Sequence, residues 1–184
     1  IDDLEGKLVV GNIIQLNKFL EKNPKLVKDL QSAFGEDGGL DLVSGGPPCQ
    51  SFSMAGLREQ NNQRNTLPLD FANFVQKIHP KFVLLENVSG ILRPFTNDDK
   101  SKKYYAWYEI AMAFAKINYL PLCLHINAKF VGVAQHRPRF ILIGVRNDIF
   151  KKLESKLNET EVKLFESSKV FFEKIQNSID IEYG

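Results

Sequence analysis

The apolar run Leu40, Leu42, Val43 stops abruptly at Gly45-Gly46-Pro47-Pro48, and Cys49 follows at once. Glycine and proline break regular structure, and proline lacks the N–H that a strand ladder needs. The pattern predicts a strand over 41–45 that ends in a stiff loop and offers one cysteine at its carboxyl end. In open α/β sheets that edge is where ligands bind. A stiff loop suits a nucleophile that must meet its target in one geometry. Taken alone, Cys49 reads more often as a small buried hydrophobe, the usual place of a free cysteine.

Two later stretches change that weighting. Phe82-Val83-Leu84-Leu85 is a second apolar run, followed by Glu86-Asn87-Val88. Glu86 is expected just past the strand, as a loop residue or helix cap, or as an acid beside Cys49 if the two strands are parallel neighbours. Gln135-His136-Arg137-Pro138-Arg139 then leads into the strand-like Phe140-Ile141-Leu142-Ile143-Gly144. The two arginines are expected to face opposite ways, one toward a site and the other toward structure or phosphate.

Between these points the chain alternates. Residues 7–14 read as a strand broken at Gly11, and Leu16 to Phe34 as a helix interrupted near Pro24. Met54 to Thr66 is polar and aperiodic, a candidate lid or an ordinary flexible loop. Leu67 to His79 is amphipathic and stopped by Pro80. Tyr104 to Asn118 carries Trp107, Ile110, Ala111, Phe114 and Ala115 at helical spacing. Leu120 to Phe130 and Arg139 to Val145 read as strands joined by a short turn-rich segment, hence antiparallel. This alternation predicts an α/β fold, a three-layer, mostly parallel sheet with an antiparallel terminal hairpin. From Asn147 onward Lys and Glu interleave with Leu, Val and Phe, so residues 147–184 are expected as a helical tail beyond a body over 1–146. Such a tail packs on the body, links to more chain, or opens a target-recognition or partner-binding region.

At 184 residues with 43% hydrophobic content the chain suits one domain with a real core. It has no apolar run of membrane-spanning length and no signal-peptide pattern, so no membrane partner and a soluble, cytoplasmic protein are expected. The net charge of +2 is too mild to establish a nucleic-acid partner by itself. Basic residues gather modestly at Arg58 and Arg64 and at Lys100, Lys102 and Lys103, the lysines reading as a solvated loop. Cys49 and Cys123 make neither a disulfide framework nor a metal site, and Cys123 sits in an apolar run.

Taken together and in this order, Pro48-Cys49-Gln50, Glu86-Asn87-Val88 and Gln135-His136-Arg137-Pro138-Arg139 resemble the signatures of the DNA (cytosine-5) methyltransferase family, bacterial type. Arg64-Asn65-Thr66-Leu67 resembles its Arg-x-x-Leu segment more weakly. The resemblance covers about Gly11 to Arg146 and implies the S-adenosylmethionine-dependent methyltransferase fold. It implies that Cys49 attacks carbon 6 of a cytosine flipped out of double-stranded DNA. It places Glu86 on the ring's N3 and amine, Arg139 on its carbonyl oxygen, and Arg137 behind the nucleophile loop. S-adenosylmethionine is the implied cofactor, with Asn12, Ile13, Pro48 and Leu67 at its contact positions. Gln50, Ser53, Asn87, Val88 and Gln135 fall at substrate positions. The family usually has Gly-Asp-Ile where Gly11-Asn12-Ile13 stands, and Asn12 departs from the aspartate that holds adenine. The family's Gly-rich cofactor turn and its target-reading segment have no counterpart here. The chain is therefore expected to be the middle of a methyltransferase, a fragment or a subunit completed by a second polypeptide.

Three alternatives stay open at this level. A transfer-RNA cytosine methyltransferase would carry the same residues, and a catalytically inactive DNA-binding or assembly module would use the tail as its interface. A thiol hydrolase lacks a partner histidine: His79 precedes Pro80, His125 is expected within a core strand, and His136 lies between the residues already placed.

Overall fold

The computed structural model describes residues 11–32, 39–48, 67–96 and 103–183. Helix α1 (Ile13–Glu21) starts where Asn12 Oδ1 accepts the Ile14 N–H at 2.8 Å. That side-chain cap satisfies one of the donors a helix start leaves orphaned. Ile13 and Ile14 are thus helical, where the apolar run had suggested the end of a strand. The expected break at Pro24 is present: α2 (Pro24–Gln31) begins with proline in the first turn, where its missing N–H costs nothing.

Strand β1 (Leu42–Gly45) precedes α3 (Leu67–Ile78), which ends as His79 enters the left-handed region and Pro80 blocks continuation. Strand β2 (Phe82–Val88) runs two residues past Glu86, so Glu86 lies within the strand and not in a loop beyond it. A two-stranded ribbon of β3 (Phe95–Thr96) and β4 (Lys103–Tyr104) leads to α4 (Ala106–Lys116). The hairpin of β5 (Tyr119–Asn127) and β6 (Pro138–Arg146) follows, then α5 (Asn147–Leu153) and α6 (Glu159–Tyr183).

The four-stranded sheet has the order β1-β2-β6-β5. β1 runs parallel to β2, and β6 is antiparallel to both β2 and β5. The α/β class and the antiparallel hairpin are as expected, but among the described residues the sheet is mixed rather than mostly parallel. The reason is the return strand β6, which slots between β2 and β5 instead of adding at the rim.

Strand alternation sends Val83, Leu85, Phe140 and Leu142 to one face, where Phe71 and Val75 of α3 and Ile110 and Phe114 of α4 cover them. Leu120 and Val145 belong to a second cluster with Phe150 of α5 and Phe172 and Ile175 of α6. The helices after Asn147 thus pack on the body, and Gln176 Nε2 donates to Ala115 O at 2.7 Å. Phe114, Tyr119 and Phe140 are fully buried, each contributing roughly 1.5–3 kcal/mol by burial. His125, by contrast, lies on the exposed far end of β5, outside the core that its apolar neighbours suggested.

Candidate active site

Parallel pairing of β1 and β2 aligns Gly45 with Leu85, so Gly46 comes abreast of Glu86. A Cβ added at Gly46 would stand 3.6 Å from Glu86 Oε2, which puts the carboxylate against the loop that leads to Cys49. Gly45 is required for a different reason: its Cβ would meet the Phe71 ring at 2.5 Å, so only glycine lets α3 close on the strand end. Asn87 Nδ2 donates to Pro47 O at 3.2 Å and ties the same loop to β2. Asn87 is 3% exposed, and on the strand its side chain alternates with that of Glu86 to the opposite face. Val88, beside it, is half-buried at the sheet edge.

Arg139 enters from the other side. In the β2–β6 register it sits opposite Val88, diagonal to Glu86 on the same face. Its Nε meets Glu86 Oε1 at 2.6 Å and its guanidinium donates to Pro138 O at 2.9 Å. The carboxylate side chain is 47% exposed and the guanidinium side chain 23%. Exposed pairs of this kind contribute only about 0–1 kcal/mol, so a ligand can open this one at small cost.

Arg137 does not divide from Arg139 by pointing to the opposite face, because residues two apart on a strand share a face. It differs by position: β6 begins at Pro138, and Arg137 lies exposed in the turn before it. Its N–H donates to Asn127 Oδ1 at 3.2 Å, and the Lys129 N–H shares that acceptor at 3.2 Å. Asn127 thus pins the turn that presents both arginines. In the sequence its only signal is an asparagine at a strand end, where side-chain acceptors commonly cap turns. Gln135 is exposed in the same turn. Cys49, Gln50 and Ser53 lie outside the described residues, as do Arg58, Arg64 and the candidate lid over 54–66.

Beside the loop is a concave pocket of about 690 Å³. Asn12, Ile13, Pro48 and Leu67, the positions marked for a cofactor, all line it. Apolar walls come from Leu16, Val43, Phe71 and Phe74, which had read only as core faces of their helices and strand. The volume lies within the usual range for a small-molecule site. Flat aromatic walls, an asparagine at the rim and the backbone of 44–48 fit a ligand that pairs an apolar ring with polar substituents. Asn12 Oδ1 is engaged in capping α1, which gives the amide a structural task at the position where the family's aspartate is expected.

Cys123 is no rival nucleophile. Burial pushes its thiol up to about 12, and it packs against the main core. Among the described residues no group of His, Cys, Asp and Glu is arranged to hold a metal ion, and no helix is long and apolar enough to cross a membrane.

A family model described as C-5 cytosine-specific DNA methylase matches residues 15–182. The chain is 42% identical over 109 residues to the Type II methyltransferase M.DdeI of Desulfomicrobium norvegicum, covering 59% of this chain and 25% of that protein. It is 34% identical over 143 residues to the Type II methyltransferase M.HindV of Haemophilus influenzae, covering 78% of this chain and 43% of that protein. Among solved structures, one described as a DNA modification methyltransferase encoded within an E. coli prophage superposes with a TM-score of 0.50 at 27% identity. That match covers 78% of this chain and 34% of the other. The chain therefore spans between 25% and 43% of the length of these two curated relatives.

Proposed function

The chain belongs to the C-5 cytosine-specific DNA methylase family, and on that premise we propose that it carries the cytosine-activating half of a DNA cytosine-5 methyltransferase, within a larger enzyme or beside a complementing subunit. Its substrate is a cytosine flipped from duplex DNA, and its place of action is the cytoplasm. The Cys49 thiolate adds to carbon 6 of the ring, which makes carbon 5 electron-rich. Glu86 holds N3 and the exocyclic amine and shares a proton at N3 as charge develops there. Arg139 steadies the carbonyl oxygen beside it. Asn12, Ile13, Pro48 and Leu67 would hold S-adenosylmethionine, whose sulfonium methyl group carbon 5 would take, leaving the neutral thioether behind. Solvent water then takes the carbon-5 proton, the C–H electron pair restores the carbon 5–carbon 6 double bond, and the C6–S pair leaves with sulfur to return the thiolate. Asn87 serves as a positioning residue that holds the nucleophile loop at Pro47.

The observation that carries this reading is the convergence at one sheet edge. A carboxylate and a guanidinium stand 2.6 Å apart, side by side, against the loop that leads to Cys49. In that arrangement the two charges present a donor and an acceptor along one line, as the edge of a flipped cytosine requires. Opening the exposed pair to admit the base costs little.

The test is a duplex carrying 5-azacytosine, a cytosine analogue that traps the carbon-6 adduct. Incubated with S-adenosylmethionine and the complete enzyme that contains this chain, it is expected to give a species that survives denaturing electrophoresis. Cys49→Ser should abolish that species. A covalent species that persists in Cys49→Ser, or none with the complete enzyme that carries the intact sequence, overturns the reading.

A further inference from the structure

The turn between β5 and β6 projects beyond the site. Its base is fixed by Asn127, by Ala128 N–H donating to Arg137 O at 3.3 Å, and by Val133 N–H donating to Ala128 O at 3.3 Å. Gly132 takes a left-handed conformation, φ 85°, with nothing near where a Cβ would stand. The tip is apolar and open: Phe130 is 78% exposed, Val131 69% and Val133 48%. A fold does not gain by displaying adjacent large apolar side chains on a braced loop, and such a patch marks an interaction surface.

The charge around the tip selects the partner. From Lys116 to Asn147 the chain carries no acidic residue, while Lys129, Arg137 and Arg139 cluster at this end of the hairpin. Lys129 Nζ lies 4.7 Å from the centre of the Phe130 ring, so one cation and one ring travel together. A cationic segment with an apolar tip complements a polyanion with apolar surface recessed between its charges. Duplex DNA has that character: phosphates outside, sugar and base edges within the groove. Proteins that distort a duplex commonly place apolar side chains against base steps while basic ones hold the backbone.

We propose that the β5–β6 turn is a DNA-contacting finger, with Phe130 and Val131 entering the groove beside the target cytosine and Lys129 on a phosphate. The turn starts at Asn127 and ends at Pro138, next to Arg139 and hence to Glu86, so a duplex offering a base there would also meet the finger. A braced tip loses little freedom on contact, which favours affinity. The inference rests on the reading that the chain acts on duplex DNA.

The test is binding of a short fluorescent DNA duplex by anisotropy at several salt concentrations, with Lys129→Gln and Phe130→Ser compared with the unaltered chain. Both side chains are at the surface, and circular dichroism checks that the variants fold. Phe130→Ser is expected to weaken binding about tenfold, as loss of an aromatic contact to a base does. Lys129→Gln should weaken it and reduce the salt slope by about 1. Unchanged affinity in both variants, with the 5-azacytosine adduct still forming, overturns the finger alone. A dimer in sedimentation that Phe130→Ser dissolves, with DNA affinity untouched, also overturns it, because the patch is then a contact between copies. Finger-dependent duplex binding without any adduct supports the finger and overturns the catalytic reading instead.

Discussion

At the end of the sheet where β1 and β2 begin, the described side chains are locked together. The Tyr119 hydroxyl donates to Pro80 O at 2.5 Å, and Arg146 grips Asp148 through two bonds of 2.6 and 3.0 Å while donating to His79 O at 2.7 Å. Lys81 adds an ion pair to Asp41 at 2.7 Å. At the other end, where β1 stops, the chain turns into glycine and proline, and a half-exposed Glu86–Arg139 pair stands beside an open pocket. The same strands thus carry a fastened end and an open end. The contrast teaches a division of labour: fastening one end lets the other display polar groups without depending on them for stability.

If that division holds, Glu86→Gln should damage chemistry far more than folding. Removing a proton-handling carboxylate lowers rates by about 10²–10⁴-fold. Losing one side of an exposed pair costs about 0–1 kcal/mol. Methyl-transfer assays on the complete enzyme and calorimetry on the same samples check both halves. A melting temperature that falls in step with activity would break the comparison.

Gly45→Ala probes where the two ends meet, since Gly45 underlies the open end but is packed like core. A methyl group 2.5 Å from the buried Phe71 ring forces a shift, and overpacking of this kind costs about 1–3 kcal/mol. Denaturant unfolding should show that loss, together with weaker S-adenosylmethionine binding, because Gly45 and Phe71 both line the pocket. Unaltered stability would mean that the glycine is incidental. Tyr119→Phe is the counterpart at the fastened end. Burial holds the Tyr119 phenol above its ordinary range, so it stays a donor, and its loss leaves Pro80 O without that partner. The expected cost is about 1–2 kcal/mol in unfolding with cofactor binding unchanged. A change in binding would show that the two ends are coupled.

How much of this was legible in the residues also divides along the sheet. Strands announced themselves by apolar runs, and the breaks at Pro24 and Pro80 by proline's missing N–H. The hairpin was readable because the segment from Gly132 to Pro138 is short and turn-rich. What the residues did not reveal depends on three-dimensional partners. Nothing local tells that β6 inserts between β2 and β5, that Ile13 joins a helix capped by Asn12, or that Glu86 remains in strand register. The pocket positions were marked only by resemblance, and the structure brings Asn12, Ile13, Pro48 and Leu67 to one cavity. Asn127 and the exposed tip at Phe130 escaped notice because their roles come from geometry across a turn, not from spacing along it.

The smallest effect concerns pH, and it separates two causes at the fastened end. Partial desolvation of the largely exposed His79 ring, then the nearby Arg146 charge, hold it below its ordinary 6.5, whereas the Arg146 hydrogen bond comes first in holding Asp148 below 3.8. In both cases the folded chain binds protons less readily than the unfolded one, so both contributions are present at neutral pH and lost on acidification. The His79 loss begins as pH falls through 6.5, and the Asp148 loss only as it falls through 3.8. Urea unfolding across the acid range should therefore show a shallow limb followed by a second one. Arg146→Gln removes the leading cause for Asp148 but leaves desolvation acting on His79. The lower limb should flatten while the upper one largely persists, whatever the overall loss of stability. If both limbs vanish together, the arginine and not desolvation governs His79, and the fastened end is one electrostatic unit rather than a partly desolvated ring with a separate ion pair beside it.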